Sequence, residues 1–424
     1  MIKTEQHSQL LLEQVILNSR HSELLANQTE LNTNYLQNSL ILEHHTNNSE
    51  KNFYESTKIA PKPLKIKDVN LTIDEKRLLY ISRLQAAQLC EKMGNLPWDI
   101  KSNSAYELCE KPSISVIITL YNYSEYIYEC LESVSQTDII DIPGGIEVLV
   151  IDDCSTDNSA NLVLEYLQQS QLPICLVSKW FNTGLADARN VGLKLARSPY
   201  IFILDADNWI YPNCLSVLFE KINSSRYAAV YSEIQKFDHQ TKQEMNRISC
   251  YEWDIYKLVK QPYIDAMAMF DKNILLKLGG YSTELIEYGW FGWDDYDLWL
   301  KIAQSNYSCK LIPTVLSRYR VHAESMINTT NKYALNLAKY FCHKFVKLAN
   351  KYYTSDMLFG FPKSEIYLEL NLSPPQTQNH FIFQELQCAY AQIAAMESSK
   401  FWKLRNQWFK LKKLLGLVKD VEII

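Results

Sequence analysis

The sequence predicts an α/β fold with a mainly parallel β-sheet, flanked by helical extensions at both ends. Between residues 113 and 205, strand-like apolar runs alternate with amphipathic helical stretches. The first run, SISVIITLY, is apolar almost throughout, which is typical of a strand buried on both faces of a parallel sheet. Strictly alternating strands and helices indicate an open sheet joined by right-handed crossovers.

The elements follow in order along the chain. Thr72, with Glu75 three residues later, predicts a capping box that begins a helix over TIDEKRLLYISRLQAAQLCEKMG. The predicted strands then read SISVIITLY, IEVLVIDD, PICLVSK and YIFILDAD, with helices SEYIYECLESVSQ, NSANLVLEYLQQS and GLADARNVGLKLA between them. After residue 213, AAVYSEIQKF predicts a strand, and YIDAMAMFDKNILLKLGGY a strand or core segment leading into a helix. Residues 325–354 are predicted to be mostly helical.

The two ends of the chain have different compositions. Leu10, Leu17, Leu24 and Leu31 recur at a seven-residue spacing, which fits either a short coiled coil or an isolated amphipathic helix. Near the other end, SSKFWKLRNQWFKLKKLLGL interleaves basic and aromatic residues. This composition is typical of a helix on an anionic membrane surface, and docking on a protein is the alternative.

Composition excludes several classes of protein. The formal net charge of −5 gives no global basic field of the kind that binds nucleic acid. The 10 cysteines form no CxxC pair, which argues against zinc ribbons and disulfide frameworks and favours reduced thiols. Neither a signal peptide nor an apolar membrane span is predicted. We therefore expect a cytoplasmic protein, with peripheral attachment to the inner face of the plasma membrane left open.

Two carboxylates end the strand YIFILDAD. Asp205 and Asp207 lie on the same side of an extended chain, where their repulsion and lost hydration cost several kcal/mol per ion unless a cation is present. Oxygen ligands of this kind suit Mg²⁺ or Mn²⁺. A turn rich in aspartate that begins the next helix is the structural alternative.

Further polar residues follow the neighbouring strands. Asp152 and Asp153 end the second strand, where an acid can accept from a nucleobase N–H or a ribose hydroxyl. Asn182 and Gly184 open a helix that carries Arg189, which could pair with these acids or with phosphate. The alternatives are simple helix capping for the acids and a surface position for the arginine.

A third acidic group begins a helix in GWFGWDDYDLWLKI. Because Asp294 and Asp295 point in different directions on a helix, we expect one to serve chemistry and the other structure. Trp293 and its neighbouring tryptophans could pack against a sugar ring, and an acid beside them could deprotonate a hydroxyl. His322 is either a metal ligand or a packing residue.

In this order, the motifs SVIITLYN, VLVIDDCSTD, NTGLADARNVG, YIFILDADN, WDDYDLWLKI and YRVHAESM resemble the inverting family 2 glycosyltransferases, which have the GT-A fold. The resemblance covers roughly residues 112–330. It implies nucleotide-sugar contacts at Thr119, Tyr121, Asp153, Asn182, Arg189 and Asp205, metal ligands at Asp207 and His322, a catalytic base at Asp295, and acceptor or sugar contacts at Trp293 and Asp294. Cys154 departs from the family, which usually has Gly or Asn there.

The resemblance implies a Mn²⁺- or Mg²⁺-dependent enzyme that moves a sugar from a UDP- or GDP-sugar to a hydroxyl of a glycan, lipid-linked or protein acceptor. Cell-surface polysaccharide or glycoconjugate synthesis is the expected setting. A catalytically silent nucleotide-sugar-binding scaffold remains an alternative. A nucleotidyltransferase is disfavoured because no Gly-rich, lysine-bearing loop follows the first strand.

This interpretation divides the chain into six segments. They are residues 1–66 (N-terminal helix and polar linker), 67–111 (helical lead-in), 112–330 (GT-A catalytic domain), 331–370 (helical extension), 371–380 (linker) and 381–424 (basic amphipathic helix).

Overall fold

The computed structural model describes residues 72–92, 94–323, 325–352 and 355–367. The predicted N-terminal helix, the linker at 371–380 and the basic C-terminal helix lie outside these described residues. The chain divides into two compact units, Met1–Pro362 and Lys363–Ile424. In the second unit, only one short helix falls within the described residues.

The secondary structure follows the predicted order, with short additions. The helices are α1 (Ile73–Lys92), α2 (Ser104–Leu108), α3 (Ile127–Ser135), α4 (Ser159–Gln169), α5 (Leu185–Leu195), α6 (Cys214–Asn223), α7 (Ile255–Lys260), α8 (Lys272–Lys277), α9 (Leu285–Tyr288), α10 (Asp294–Gln304), α11 (Ile327–Thr330), α12 (Ala334–Lys344), α13 (Val346–Lys351) and α14 (Lys363–Tyr367). The strands are β1 (Trp98–Ser102), β2 (Ile114–Leu120), β3 (Ile146–Asp152), β4 (Ile174–Lys179), β5 (Tyr200–Asp205), β6 (Trp209–Ile210), β7 (Ala229–Asp238), β8 (Glu244–Ile248), β9 (Ala268–Asp271), β10 (Cys309–Val321), β11 (Met357–Leu358) and β12 (Phe361–Pro362).

One large sheet runs in the order β1-β4-β3-β2-β5-β9-β7-β10-β6, with β8 beside β7. Strands β4, β3, β2 and β5 are parallel, as are β7 and β10. Every residue of β2 and β3 is buried, which explains their continuous apolar runs. The predicted α/β class with a mainly parallel central sheet is confirmed.

Four strands of this sheet pair antiparallel with a neighbour, namely β1, β6, β8 and β9. Strand β1 pairs antiparallel with β4 at the sheet edge, although it lies in the segment predicted as a helical lead-in. Its sequence WDIKS gives a weak strand signal because the strand is short and only Trp98 is buried, while Ile100 is 48% exposed. Strand β9 is antiparallel to both β5 and β7. It joins the two parallel parts of the sheet.

Helix α1 begins with the predicted capping box. The Thr72 amide donates to Glu75 Oε2 at 2.8 Å, and the Glu75 amide donates to Thr72 Oγ1 at 3.3 Å. This prediction is therefore confirmed. None of the helices within the described residues has both the length and the apolar character required to cross a membrane.

The sheet register brings the predicted polar residues to one edge. Leu120 lies beside Asp152, and Thr119 lies beside Asp205, at the carboxyl ends of their strands. Because β2, β3 and β5 are parallel, the loops that follow them leave the sheet on the same side. These loops form one wall of a cavity.

Candidate active site

A cavity of about 230 Å³ lies at the carboxyl edge of the sheet. Its wall is built by the loops after β2, β3 and β5, the start of α5, the start of α10, and residues from β10 and α11. The sequence-predicted residues that line it are Thr119, Tyr121, Asp153, Asn182, Arg189, Asp205, Asp207, Asp294 and Asp295. Residues far apart in the sequence are thus brought together in one cavity.

Arg189 connects two of the acidic groups. Its guanidinium is 2% exposed and donates to Asp205 Oδ1 at 2.9 Å and to Asp294 Oδ2 at 2.8 Å. Thr119 Oγ1 also donates to Asp205 Oδ1, at 2.8 Å. Arg189 comes from α5, so one arginine on a helix holds together the end of β5 and the start of α10. Asp205 and Asp294 therefore have a buried countercharge.

Asp295 has a different environment from its neighbour. Within the described part of the chain it forms no ion pair, and its Oδ1 accepts the amide of Tyr296 at 2.7 Å. Burial, followed by the nearby Asp294 and Asp265, raises the pKa of Asp295 well above its usual range. A carboxylate with a raised pKa that faces a cavity can take a proton from a bound hydroxyl.

Asp207 is almost fully buried beside a histidine. Its Oδ2 lies 3.0 Å from Nε2 of His322, while its Oδ1 is buried with no hydrogen-bond partner in the described structure. An unsatisfied buried carboxylate oxygen is costly, and a cation would satisfy it. Adjacent ligands of an octahedral ion with bonds of about 2.1 Å lie about 3 Å apart, which is the distance between Asp207 Oδ2 and His322 Nε2. The pair therefore fits a divalent cation.

The described side chains alone would not complete the coordination of a metal ion. No group of three or more His, Cys, Asp or Glu side chains in the described ranges is arranged to hold a metal ion. Asp207 and His322 would supply two ligands, so the remaining coordination positions would fall to oxygen atoms of a bound substrate or of water. Mg²⁺ commonly binds in this way, through one or two carboxylates and substrate phosphates.

An arginine that the sequence analysis missed supports the Asp207 turn. Arg320, on β10, is 1% exposed, and its Nε donates to the Asp207 carbonyl at 2.8 Å. Its backbone amide donates to Asn208 Oδ1 at 2.9 Å, and its guanidinium pairs with Glu129. Arg320 therefore fixes the backbone that carries Asp207. The motif YRVH contains this residue, but nothing in the sequence indicates its partners.

Asp153 is held by a lysine that the sequence analysis also missed. Lys179, at the end of β4, places its Nζ 2.7 Å from Asp153 Oδ1 and 2.8 Å from Asp187 Oδ2. Burial lowers the pKa of Lys179, but the two carboxylates raise it by more, so the ammonium form is retained. The loop after β3 also contains Cys154, which adopts a φ of +63°. That left-handed conformation favours Gly or Asn, the residues usual in the resembled family.

Trp293 does not lie on the cavity wall. Its ring is buried against Phe341 and Tyr296, with ring centroids 5.9 Å and 5.4 Å away. The expected contact between Trp293 and a sugar stays a prediction, which this packing does not favour. Trp293 precedes α10, and its side chain packs into the helical layer instead. The preceding Phe291 lines the cavity and covers Gly184, where a Cβ would lie 2.0 Å from the ring.

Other cavity residues also escaped the sequence analysis. Tyr80 of α1 lines the cavity and meets Phe291 edge-on, with centroids 4.9 Å apart. Asp265, just before β9, also lines it, and burial raises the pKa of this acid to about 6. The sequence carried a signal for Asp265, an isolated acid in the apolar run YIDAMAMF. Tyr319, Met326 and Ile327 complete the wall on the side of β10 and α11.

One family model matches part of the chain. Residues 115–279 match the model of glycosyl transferase family 2. This segment contains Asp153, Arg189, Asp205 and Asp207, and it ends before Asp295.

Curated relatives share the same region. The chain is 28% identical over 198 residues to chondroitin synthase of Escherichia coli, covering 46% of this chain and 27% of that protein. It is 27% identical over 223 residues to an uncharacterized glycosyltransferase of Methanocaldococcus jannaschii, covering 50% of this chain and 72% of that protein. A solved structure of Staphylococcus aureus TarS 1–349 in complex with UDP-GlcNAc is similar at 17% identity and a TM-score of 0.45, covering 57% of this chain and 73% of that one.

Proposed function

Because residues 115–279 match the model of glycosyl transferase family 2, we propose that the chain is a metal-dependent inverting glycosyltransferase with a domain of the GT-A type. The donor is a UDP- or GDP-sugar, and the acceptor is a hydroxyl group of a glycan, a lipid-linked carrier or a protein. The observation that carries the proposal is the meeting of Asp153, Asp207 and Asp295 in one cavity, from separate elements of the chain.

The cavity offers a different group for each part of a nucleotide-sugar. Asp153, Asn182 and Tyr121 line the cavity and would contact the nucleoside. Asp207 and His322 would hold Mg²⁺ or Mn²⁺, which neutralises charge on the diphosphate when it is bound. Arg189 keeps Asp205 in place beside that position.

Asp295 is the proposed general base. The oxygen of the acceptor hydroxyl forms a bond to the anomeric carbon, while the bond from that carbon to the diphosphate oxygen breaks. The hydroxyl proton passes to Asp295, and the electron pair leaves with the nucleoside diphosphate. The attack comes from the face opposite the leaving group, so the configuration inverts. The raised pKa of Asp295 suits this proton transfer.

Substitution at Asp295 tests the proposal. A screen of UDP- and GDP-sugars with Mn²⁺ or Mg²⁺, read out as release of nucleoside diphosphate, first identifies a donor. Asp295→Asn should then lower turnover about 100- to 10,000-fold, because general bases contribute that much. Donor binding measured by calorimetry should change little, since Asp295 contacts neither the nucleoside nor the metal in this proposal. Asp141→Asn, at an exposed loop position, is the control.

Three results would contradict the proposal in different ways. Turnover retained in Asp295→Asn would refute the assignment of the base. Turnover that persists in excess EDTA would refute the metal requirement. A wild-type chain that binds nucleotide-sugars but never releases a nucleoside diphosphate would be a binding module rather than an enzyme.

A further inference from the structure

The carboxylate of Asp153 is already partly occupied by the protein itself. Its Oδ1 accepts the amide of Thr183 at 3.1 Å and forms an ion pair with the ammonium of Lys179, whose Nζ lies 2.7 Å away. Its Oδ2 accepts the amide of Gly184 at 2.8 Å. A carboxylate offers about four acceptor positions, two on each oxygen. The amide of Thr183 and the ammonium of Lys179 therefore occupy Oδ1, and Oδ2 has one position left.

Lys179 is fixed in this arrangement. It is 4% exposed, and its ammonium donates to the hydroxyl of Thr183 and to Asp187 Oδ2 while forming an ion pair with Asp153 Oδ1. Thr183 Oγ1 in turn donates to Asp187 Oδ2 at 2.5 Å. Since Asp187 lies in the first turn of α5, the lysine joins the ends of β3 and β4 to that helix. It cannot leave Asp153 without losing a buried ion pair.

This count of acceptor positions bears on which nucleobase the cavity accepts. Guanine presents two neighbouring donors, N1–H and N2–H, and a carboxylate reads both when each of its oxygens has a free position. Uracil presents one donor, N3–H. With only one position open on Asp153, the second guanine donor would face a filled oxygen and stay unsatisfied, which is costly in a buried site.

We propose that the site selects a nucleobase with a single N–H donor at this edge, as in a uridine diphosphate-sugar, over a guanosine diphosphate-sugar. Lys179 is the positioning residue that creates this selectivity by filling Oδ1 of Asp153. The inference rests on the proposed function, because it assumes that Asp153 meets the nucleobase of a donor.

Binding of three nucleotides to the full chain tests the inference. Calorimetry with Mn²⁺ compares UDP, GDP and IDP, where IDP is a purine nucleotide that lacks the 2-amino group of GDP. We expect UDP to bind at least about tenfold tighter than GDP, since one unsatisfied buried donor has an effect of that size. IDP should also bind about tenfold tighter than GDP, because only the second donor is removed.

Lys179→Met provides the matched change. The substitution frees a position on Oδ1. The preference for IDP over GDP, and that for UDP over GDP, should each fall to less than about threefold, even if overall affinity decreases. Lys194→Met is the control, because Lys194 lies on the same helix as Asp187 with its side chain 52% exposed and paired to Glu91. Its nucleotide preferences should match those of the wild type.

The wild-type measurements alone can overturn the inference, whether or not Lys179→Met folds. GDP binding as tight as UDP would refute it. UDP preferred with IDP as weak as GDP would also refute it, since the cavity would then exclude purines by size. Both outcomes leave the proposed glycosyltransferase intact. Failure of all three nucleotides to bind in the presence of Mn²⁺ would instead remove the proposed function and this inference together.

Discussion

Asp265 is a cavity acid whose ionisation lowers the stability of the folded protein. Its carboxylate lines the cavity, and within the described structure its Oδ1 accepts only the amide of Met267, at 2.9 Å. Burial raises the pKa of Asp265 to about 6, the Met267 amide lowers it, and Asp205 adds to the increase. An ionised Asp265 is therefore unfavourable in the folded protein. Asp265→Asn should stabilise the fold, because the amide oxygen can still accept from Met267.

The size of the gain follows from the pKa. A rise from 3.8 to about 6 is a shift of about 2 units, or about 3 kcal/mol when the group is fully ionised. Partial exposure makes this an upper bound. Because the folded pKa lies above the unfolded pKa, the cost is absent below pH 3.8, grows between pH 3.8 and 6, and is complete above pH 6. At pH 5 it is about half of its value at pH 7.5.

Guanidinium unfolding of the metal-free protein at pH 7.5 and pH 5 measures this effect. The free energy of unfolding of Asp265→Asn should exceed that of the wild type by up to about 3 kcal/mol at pH 7.5, and by about half as much at pH 5. Asp141→Asn, at an exposed position, should show no gain at either pH. A gain that does not change with pH, or a loss of stability at pH 7.5, would refute the reasoning.

Two further substitutions test other contacts in the cavity. Arg189→Met removes the countercharge of the buried Asp294 and of the partly exposed Asp205, so the free energy of unfolding should fall by about 3–5 kcal/mol. Adding Asp294→Asn should recover part of the loss, and additive losses in the double variant would contradict the pairing. Tyr80→Ala removes an aromatic wall residue worth about 0.5–1.5 kcal/mol, so KM for donor or acceptor should rise about 2- to 10-fold while kcat changes less. Steady-state kinetics measure this change. Tyr128→Ala, at an exposed position, is the control. An unchanged KM in Tyr80→Ala would exclude Tyr80 from substrate contact.

The parallel centre of the sheet could be predicted because few structures can bury such continuous apolar runs. Runs such as SISVIITLY and IEVLVIDD can bury every side chain only when both faces of the strand are covered. The edge strand β1 carries no such signal, since an edge strand with one buried ring tolerates a polar sequence. Strand β9 has only four residues, and it forms because it pairs with β5 on one side and β7 on the other. Pairing between distant segments decides both cases, and local sequence does not encode it.

The side-chain directions of Trp293 and Asp265 could not be predicted from the sequence. The sequence places Trp293 beside two cavity acids, but α10 begins with Asp294 facing Arg189, and the tryptophan ring packs instead against Phe341. Asp265 was not predicted because a single acid within an apolar run is read as part of a buried segment. In both cases the direction of the side chain depends on packing against an element more than 40 residues away or across the sheet.

The distribution of countercharges explains why some acids of the cavity are available for chemistry. Lys179 pairs with Asp153 and Asp187, and Arg189 pairs with Asp205 and Asp294, so each positive charge is shared by two acids. In the described structure, neither Asp265 nor Asp295 forms an ion pair, and a histidine is the partner of Asp207. An excess of negative charge therefore remains on the side of the cavity that holds Asp295. A divalent cation at Asp207 would reduce the excess, and a proton taken up by Asp295 would reduce it further, which favours transfer of a proton from a bound hydroxyl to this acid.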